Sequence, residues 1–253
     1  MTPDRPAQPF AFPRWANYVI PLVIVGGAAG TPYILLMIGL MGAPTTTDVG
    51  YQPHQPIPYS HELHVNQLGL DCRYCHNTVE NAAYAAIPST SVCMNCHGMI
   101  HTTSKNLESM YASFREGMPV PWTKVHDLPD YAFFNHSAHI NKGVSCVECH
   151  GRVDRMGPEG VYQKEPLSMG WCLTCHRDPA PNLRPRDQVT NLLWGLNLTE
   201  AEAAQIQSLV PLKGVAAGSN LTEAQRRLIG EALIKKHQIK NPQQLSDCSA
   251  CHR

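Results

Sequence analysis

Five times the chain writes Cys-x-x-Cys-His: Cys72–His76, Cys93–His97, Cys146–His150, Cys172–His176 and Cys248–His252. This pentapeptide is the c-type haem attachment signature, in which two thiols form thioethers to the porphyrin and the adjacent histidine ligates the iron. The five copies use all ten cysteines, Cys72, Cys75, Cys93, Cys96, Cys146, Cys149, Cys172, Cys175, Cys248 and Cys251, and leave none for a disulfide. A zinc reading would need pairs of Cys-x-x-Cys sharing one metal and would leave the invariable histidine unexplained. The expectation is therefore five c-type haems, with His76, His97, His150, His176 and His252 as proximal ligands. Thioether formation also places the domain in an exported, periplasmic setting and displaces the usual disulfide framework of exported cysteine-rich chains.

The fold class follows from this count. Prolines (21) and glycines (18) are frequent, so much of the backbone should be irregular. Short α-helices packed around five covalent haems replace an ordinary core. The formal charge is zero, and no Lys/Arg stripe offers a surface to nucleic acid.

From Trp15 to Thr47 there is no charged residue. The apolar stretch Tyr18–Met41 would span about 36 Å as a helix, enough to cross a bilayer with some tilt. It exceeds the apolar region of a cleaved signal, which is about 7–15 residues. Residues 15–42 are accordingly expected to be a transmembrane signal anchor. Arg5 and Arg14 precede it and no Lys or Arg follows until Arg73, which puts the tail 1–14 in the cytoplasm and the haems outside. The expected location is the cytoplasmic (inner) membrane, single-pass, in contact with lipid. Gly26 and Gly30 form a small-xxx-small pair that lets another helix approach closely, or are simply tolerated in a glycine-rich anchor. Residues 43–58, with four prolines, read as a semi-rigid spacer.

The pentahaem domain, 59–253, contains a duplication. Tyr59-x-His61-x-x-His64 precedes Cys72, and Phe134-x-His136-x-x-His139 precedes Cys146, with Gly69 and Gly143 between. Each is followed by a second haem motif with a proline ahead of it. Two di-haem modules are expected, about 59–101 and 126–178, with a terminal haem at 248–252. The connector 102–125 has Leu107, Met110, Tyr111 and Phe114 at helical spacing. Within the segment 180–240, capping-box openings at Thr199 and Thr222 predict helices over 199–210 and 222–237, a lid and docking surface.

Each iron needs a second axial ligand. The paired histidines stand three apart on one helical turn, so their rings can reach different haems. This pattern resembles small multihaem cytochromes of the c3 and c7 type. The resemblance implies that His61 caps the haem of His76 and His136 that of His150, while His64 and His139 cross to neighbouring haems. For the fifth iron the ranking is His126, then Met169, then His101 and His237.

The stretch Pro119–Asp130 running on through Phe134–His139, Leu167–Cys172, the anchor and the terminal Cys248–Arg253 together resemble the pentahaem cytochrome c subunit of alternative complex III, a membrane quinol:acceptor oxidoreductase. That resemblance implies an electron-relay subunit, not itself the site of quinol chemistry. It also implies partners: an iron–sulfur subunit related to molybdopterin oxidoreductases, polytopic quinol-binding membrane subunits, and a mono-haem cytochrome subunit or soluble periplasmic acceptor. The competing reading is a single-span multihaem quinol dehydrogenase feeding a periplasmic reductase. A pentahaem reductase would need an open iron, and here all five motifs end in His.

Overall fold

A computed structural model describes residues 12–41, 43 and 46–252. Most of the expected cytoplasmic tail, with Arg5, lies outside the described residues, as do 42, 44, 45 and Arg253. The chain divides into two compact units, Met1–Thr47 and Asp48–Arg253.

The first unit is helix α1, Ala16–Met41. It carries no acidic or basic residue, buries none of its side chains and is long and apolar enough to cross a membrane. Pro21 and Pro32 lie inside it.

The second unit is helical, and no strand occurs among the described residues. Its elements are α2 (Cys72–Cys75), α3 (Thr90–His97), α4 (Glu108–Glu116), α5 (His136–Ile140), α6 (Cys146–His150), α7 (Met169–Arg177), α8 (Glu200–Leu209), α9 (Glu223–Lys236), α10 (Pro242–Leu245) and α11 (Cys248–Cys251). Val144 and Leu183 pair in one isolated antiparallel bridge. Every Cys-x-x-Cys-His motif lies wholly or largely within a short helix. On one turn, residues three apart share a face, so both cysteines of a motif point the same way. The carboxylates of Asp71 and Asp247 accept the amides of Arg73 and Ser249 and so begin α2 and α11.

The main apolar core lies in the helical segment after α7. Leu183, Leu198, Ile206, Ile229 and Leu233 are almost wholly enclosed around Trp194, and each such side chain stabilises the fold by about 1.5–3 kcal/mol. Both expected capping boxes form, Thr199 with Glu202 opening α8 and Thr222 with Gln225 opening α9. Gly230 lets α9 lie on the turn Ala180–Asn182; a β-carbon there would come within 1.8 Å of the Ala180 carbonyl oxygen. Beneath the motifs the apolar cluster is small: Val79, Ile140 and Val189.

The connector is shorter as a helix than its range suggested. A 3-10 turn at Lys105–Leu107 leads into α4, which Gly117 ends with φ +67°. The proline-rich stretch also differs from a free spacer. The Gly50 amide donates to the Gln163 carbonyl (2.8 Å), the Gln163 amide to the Tyr51 carbonyl (3.0 Å), and Ile57 is buried. Extended proline-rich backbone has no internal hydrogen bonds, so its amides and carbonyls pair with 160–163 across the surface.

Candidate haem sites

The two histidine pairs are held by the same device. Tyr59 stacks on His64 (centroids 4.5 Å apart, planes 20°) and meets His61 edge-on (4.8 Å, 83°). Phe134 stacks on His139 (4.6 Å, 26°) and meets His136 edge-on (4.8 Å, 86°). The aromatic of the repeated motif therefore fixes two imidazoles at right angles to each other. The second pair sits on α5, while the first sits at the start of a π-helical turn, Glu62–Gln67. Both repeats then turn on a glycine with positive φ, Gly69 (+70°) and Gly143 (+90°).

Each pair aims its rings at motif histidines. His136 faces His150 with centroids 6.3 Å apart and planes 8° from parallel. His139 faces His176 at 6.1 Å and 24°. His64 faces His97 at 6.3 Å and 56°. A metal–imidazole bond is about 2.0–2.1 Å, so two rings ligating one metal from opposite sides have centroids about 6.3 Å apart. The residues present thus fit an iron held between paired imidazoles. His61 lies in the electrostatic field of His76, and burial pulls its pKa down to about 4, so it is a neutral imidazole at physiological pH.

Tautomers point the same way. The Nδ1 atoms of His64, His136 and His139 donate to the carbonyls of Ser60 (2.8 Å), Ala83 (2.8 Å) and Asn135 (2.7 Å). Those of His76, His176 and His252 donate to Ala86 (2.7 Å), Leu245 (2.8 Å) and Tyr131 (2.9 Å). A carbonyl only accepts, so Nδ1 carries the proton in all six and the Nε2 lone pair is free for a metal. The six acceptors are backbone atoms, which is why no side-chain motif announced them.

The remaining candidates have different settings. His101 also lies 6.3 Å from His97, at 42°, but it is exposed, its φ is +54°, and its carbonyl accepts from Tyr111. His126 meets His150 edge-on at 4.4 Å, too close for an iron between the rings, and its Nε2 is buried without a partner. Met169 begins α7 and is largely exposed. His237 closes α9 and lines a surface hollow with Arg186, Asp187 and Lys236, and its carbonyl accepts from Lys142 (2.6 Å).

Five of the thiols are not set up as nucleophiles. Burial raises the pKa of Cys75, Cys93, Cys172 and Cys175 and pushes Cys149 up to about 12, the reverse of a reactive cysteine. Among the described residues, no group of three or more His, Cys, Asp or Glu converges on a common metal position.

A buried cation ties this region to the helical segment. Arg184 donates to Glu148 inside the third motif (2.5 Å) and to the Asn191 carbonyl (2.9 Å), and its guanidinium lies over Trp194. Burial dominates both ionised partners, lowering the pKa of Arg184 and raising that of Glu148 despite their attraction.

Residues 132–191 match the family of cytochrome c7 and related cytochrome c. That segment holds the motifs Cys146–His150 and Cys172–His176, and the match indicates c-type haem there. The chain is also 31% identical over 145 residues to the multihaem cytochrome c subunit of menaquinone reductase from Nitratidesulfovibrio vulgaris (strain Hildenborough). The alignment covers 57% of this chain and 61% of the relative.

Proposed function

We propose that this chain binds five c-type haems and relays electrons as a subunit of a membrane quinol:acceptor oxidoreductase of the alternative complex III type. The observation that carries this reading is the facing of paired imidazoles at the spacing of one shared metal, repeated in both modules. Bound haem supplies one-electron Fe(III)/Fe(II) chemistry. The chain's own residues do the rest. The cysteines would tether the haems, the motif histidines and the His-x-x-His pairs would ligate the irons, and backbone carbonyls fix the tautomers of His64, His76, His136, His139, His176 and His252. Irons held by histidine on both sides would leave no face for a substrate, which favours relay over catalysis.

The helix Ala16–Met41 supports single-pass membrane attachment; in this reading the membrane is the cytoplasmic one, with the N-terminus inside and the haem unit on the periplasmic side. Its partners in this reading are an iron–sulfur subunit of molybdopterin-oxidoreductase type, polytopic subunits that bind quinol, and a mono-haem cytochrome or soluble acceptor. Quinol gives up two electrons and two protons in a polytopic partner, and this chain passes the electrons singly. The relative named above is a subunit of a menaquinone reductase, which supports membership of a quinone-linked complex and offers a second reading, electron flow towards menaquinone.

Purification of the intact membrane complex tests the proposal. Mass spectrometry of the chain should show five haems, near-infrared magnetic circular dichroism should show predominantly bis-histidine low-spin iron, and quinol-binding subunits should co-purify. Fewer than five haems, or quinol oxidation by this chain alone, would overturn it.

A further inference from the structure

Nothing in the order of motifs along the chain says which haem lies beside which. Asn95, inside the second motif, donates to the Tyr74 hydroxyl inside the first (3.1 Å). The first histidine pair is shared between the same two motifs: His64 faces His97, and His61 lies in the electrostatic field of His76. The first motif in turn meets the third. The segment after the first meets the segment ahead of the third: Asn141 donates to the Glu80 carbonyl (2.8 Å) and the Ser137 amide to the Ala82 carbonyl (3.2 Å). Asp71 accepts from Thr190 (2.8 Å), and the neighbouring Val189 carbonyl accepts from Ser145 and from the Cys146 amide. The third meets the fourth through His136 and His139 on one turn of α5, facing His150 and His176 respectively. The fourth meets the fifth where α10 packs on α7 and the Leu245 carbonyl accepts from His176.

Resting on the relay reading above, we propose that the five motifs form a single file in the order Cys93, Cys72, Cys146, Cys172, Cys248, so that electrons are exchanged with partners at the Cys93 and Cys248 ends. The first two motifs in sequence are thus reversed in space, and the Cys146 motif is the obligatory middle. Exposure agrees: Cys96 and Cys248, one at each end of the file, are the exposed cysteines. The partners at the ends are one-electron centres, one donor and one acceptor. Each transfer oxidises one iron by one electron and reduces its neighbour by one, with no bond made or broken.

The order is tested in the intact complex by an EPR-monitored redox titration of two conservative variants that retain their haems. His64→Met replaces the ring facing His97, and His61→Met the other ring of the pair, assigned to the haem of His76. A shifted potential is felt by immediate neighbours in the file. The expected result is that His64→Met perturbs one other centre and His61→Met perturbs two. The reverse pattern, with His61→Met perturbing one and His64→Met two, is that of a file in sequence order and would overturn the proposal. A second measurement removes attachment points. Cys72→Ser with Cys75→Ser should leave the centre of His97 magnetically isolated, while Cys93→Ser with Cys96→Ser should leave the other four coupled as before. Loss of coupling between the Cys72 and Cys146 centres in the latter variant would also defeat the order. Haem count by mass is read separately, so failure of the relay reading is distinguishable from failure of the order.

Discussion

His136 and His150 lie with ring planes 8° apart and centroids 6.3 Å apart, although 14 residues and a glycine turn separate them along the chain. His136 reaches that position because its Nδ1 is tied to Ala83 in the other module. If an iron sits between these rings, His136→Ala should convert one centre from low-spin to high-spin, and His136→Met should raise one potential by on the order of 0.1 V within the ~0.8 V that axial ligands span. His126→Ala, which alters an edge contact, should leave the number of low-spin centres unchanged. Near-infrared magnetic circular dichroism separates these outcomes.

Phe134 orients two rings at once, so its loss should register at two centres. Phe134→Ala is expected to broaden or shift two EPR signals together and to destabilise the fold by about 1–3 kcal/mol. Phe134→Tyr should behave like wild type, because Tyr59 makes the same pair of contacts in the first module. A change confined to one centre would contradict the shared role.

Arg184 is enclosed against Trp194 and Glu148. Because burial pulls both charges towards neutrality, the pair itself adds little, but truncating one partner strands the other. Arg184→Ala should cost about 3–5 kcal/mol, read as a lower denaturant midpoint. Arg184→Ala together with Glu148→Gln should recover part of that loss.

Asp71 begins α2, binds Arg73 and accepts from Thr190. The Arg73 side chain holds its pKa down to about 2, from an ordinary 3.8. A depressed carboxylate pKa contributes stability that is present above the ordinary value and is lost as pH falls through the folded one. Asp71→Asn should therefore be less stable than wild type at pH 6, and the difference should shrink between about pH 4 and 2. Paired denaturation curves across that window check the sign.

The sequence by itself determined the five repeated pentapeptides, the repeated aromatic-x-His-x-x-His pattern, the starts of two helices and the apolar helix. Ten cysteines in five fixed pentapeptides, capping boxes at Thr199 and Thr222, and an uncharged apolar helix are local patterns, legible because their physics acts over a few residues. It also marked Tyr59 and Phe134 as recurring, without saying that each holds two imidazoles at right angles. The backbone carbonyls that set the histidine tautomers, the docking of residues 50–57 on 160–163 and the position of His126 against His150 were decided only by the tertiary structure. So was the link from Asp71 through Thr190 and Val189 to Cys146. These are contacts between backbone or side-chain atoms distant in sequence, chosen by how the modules pack, and packing leaves no periodic trace along a chain.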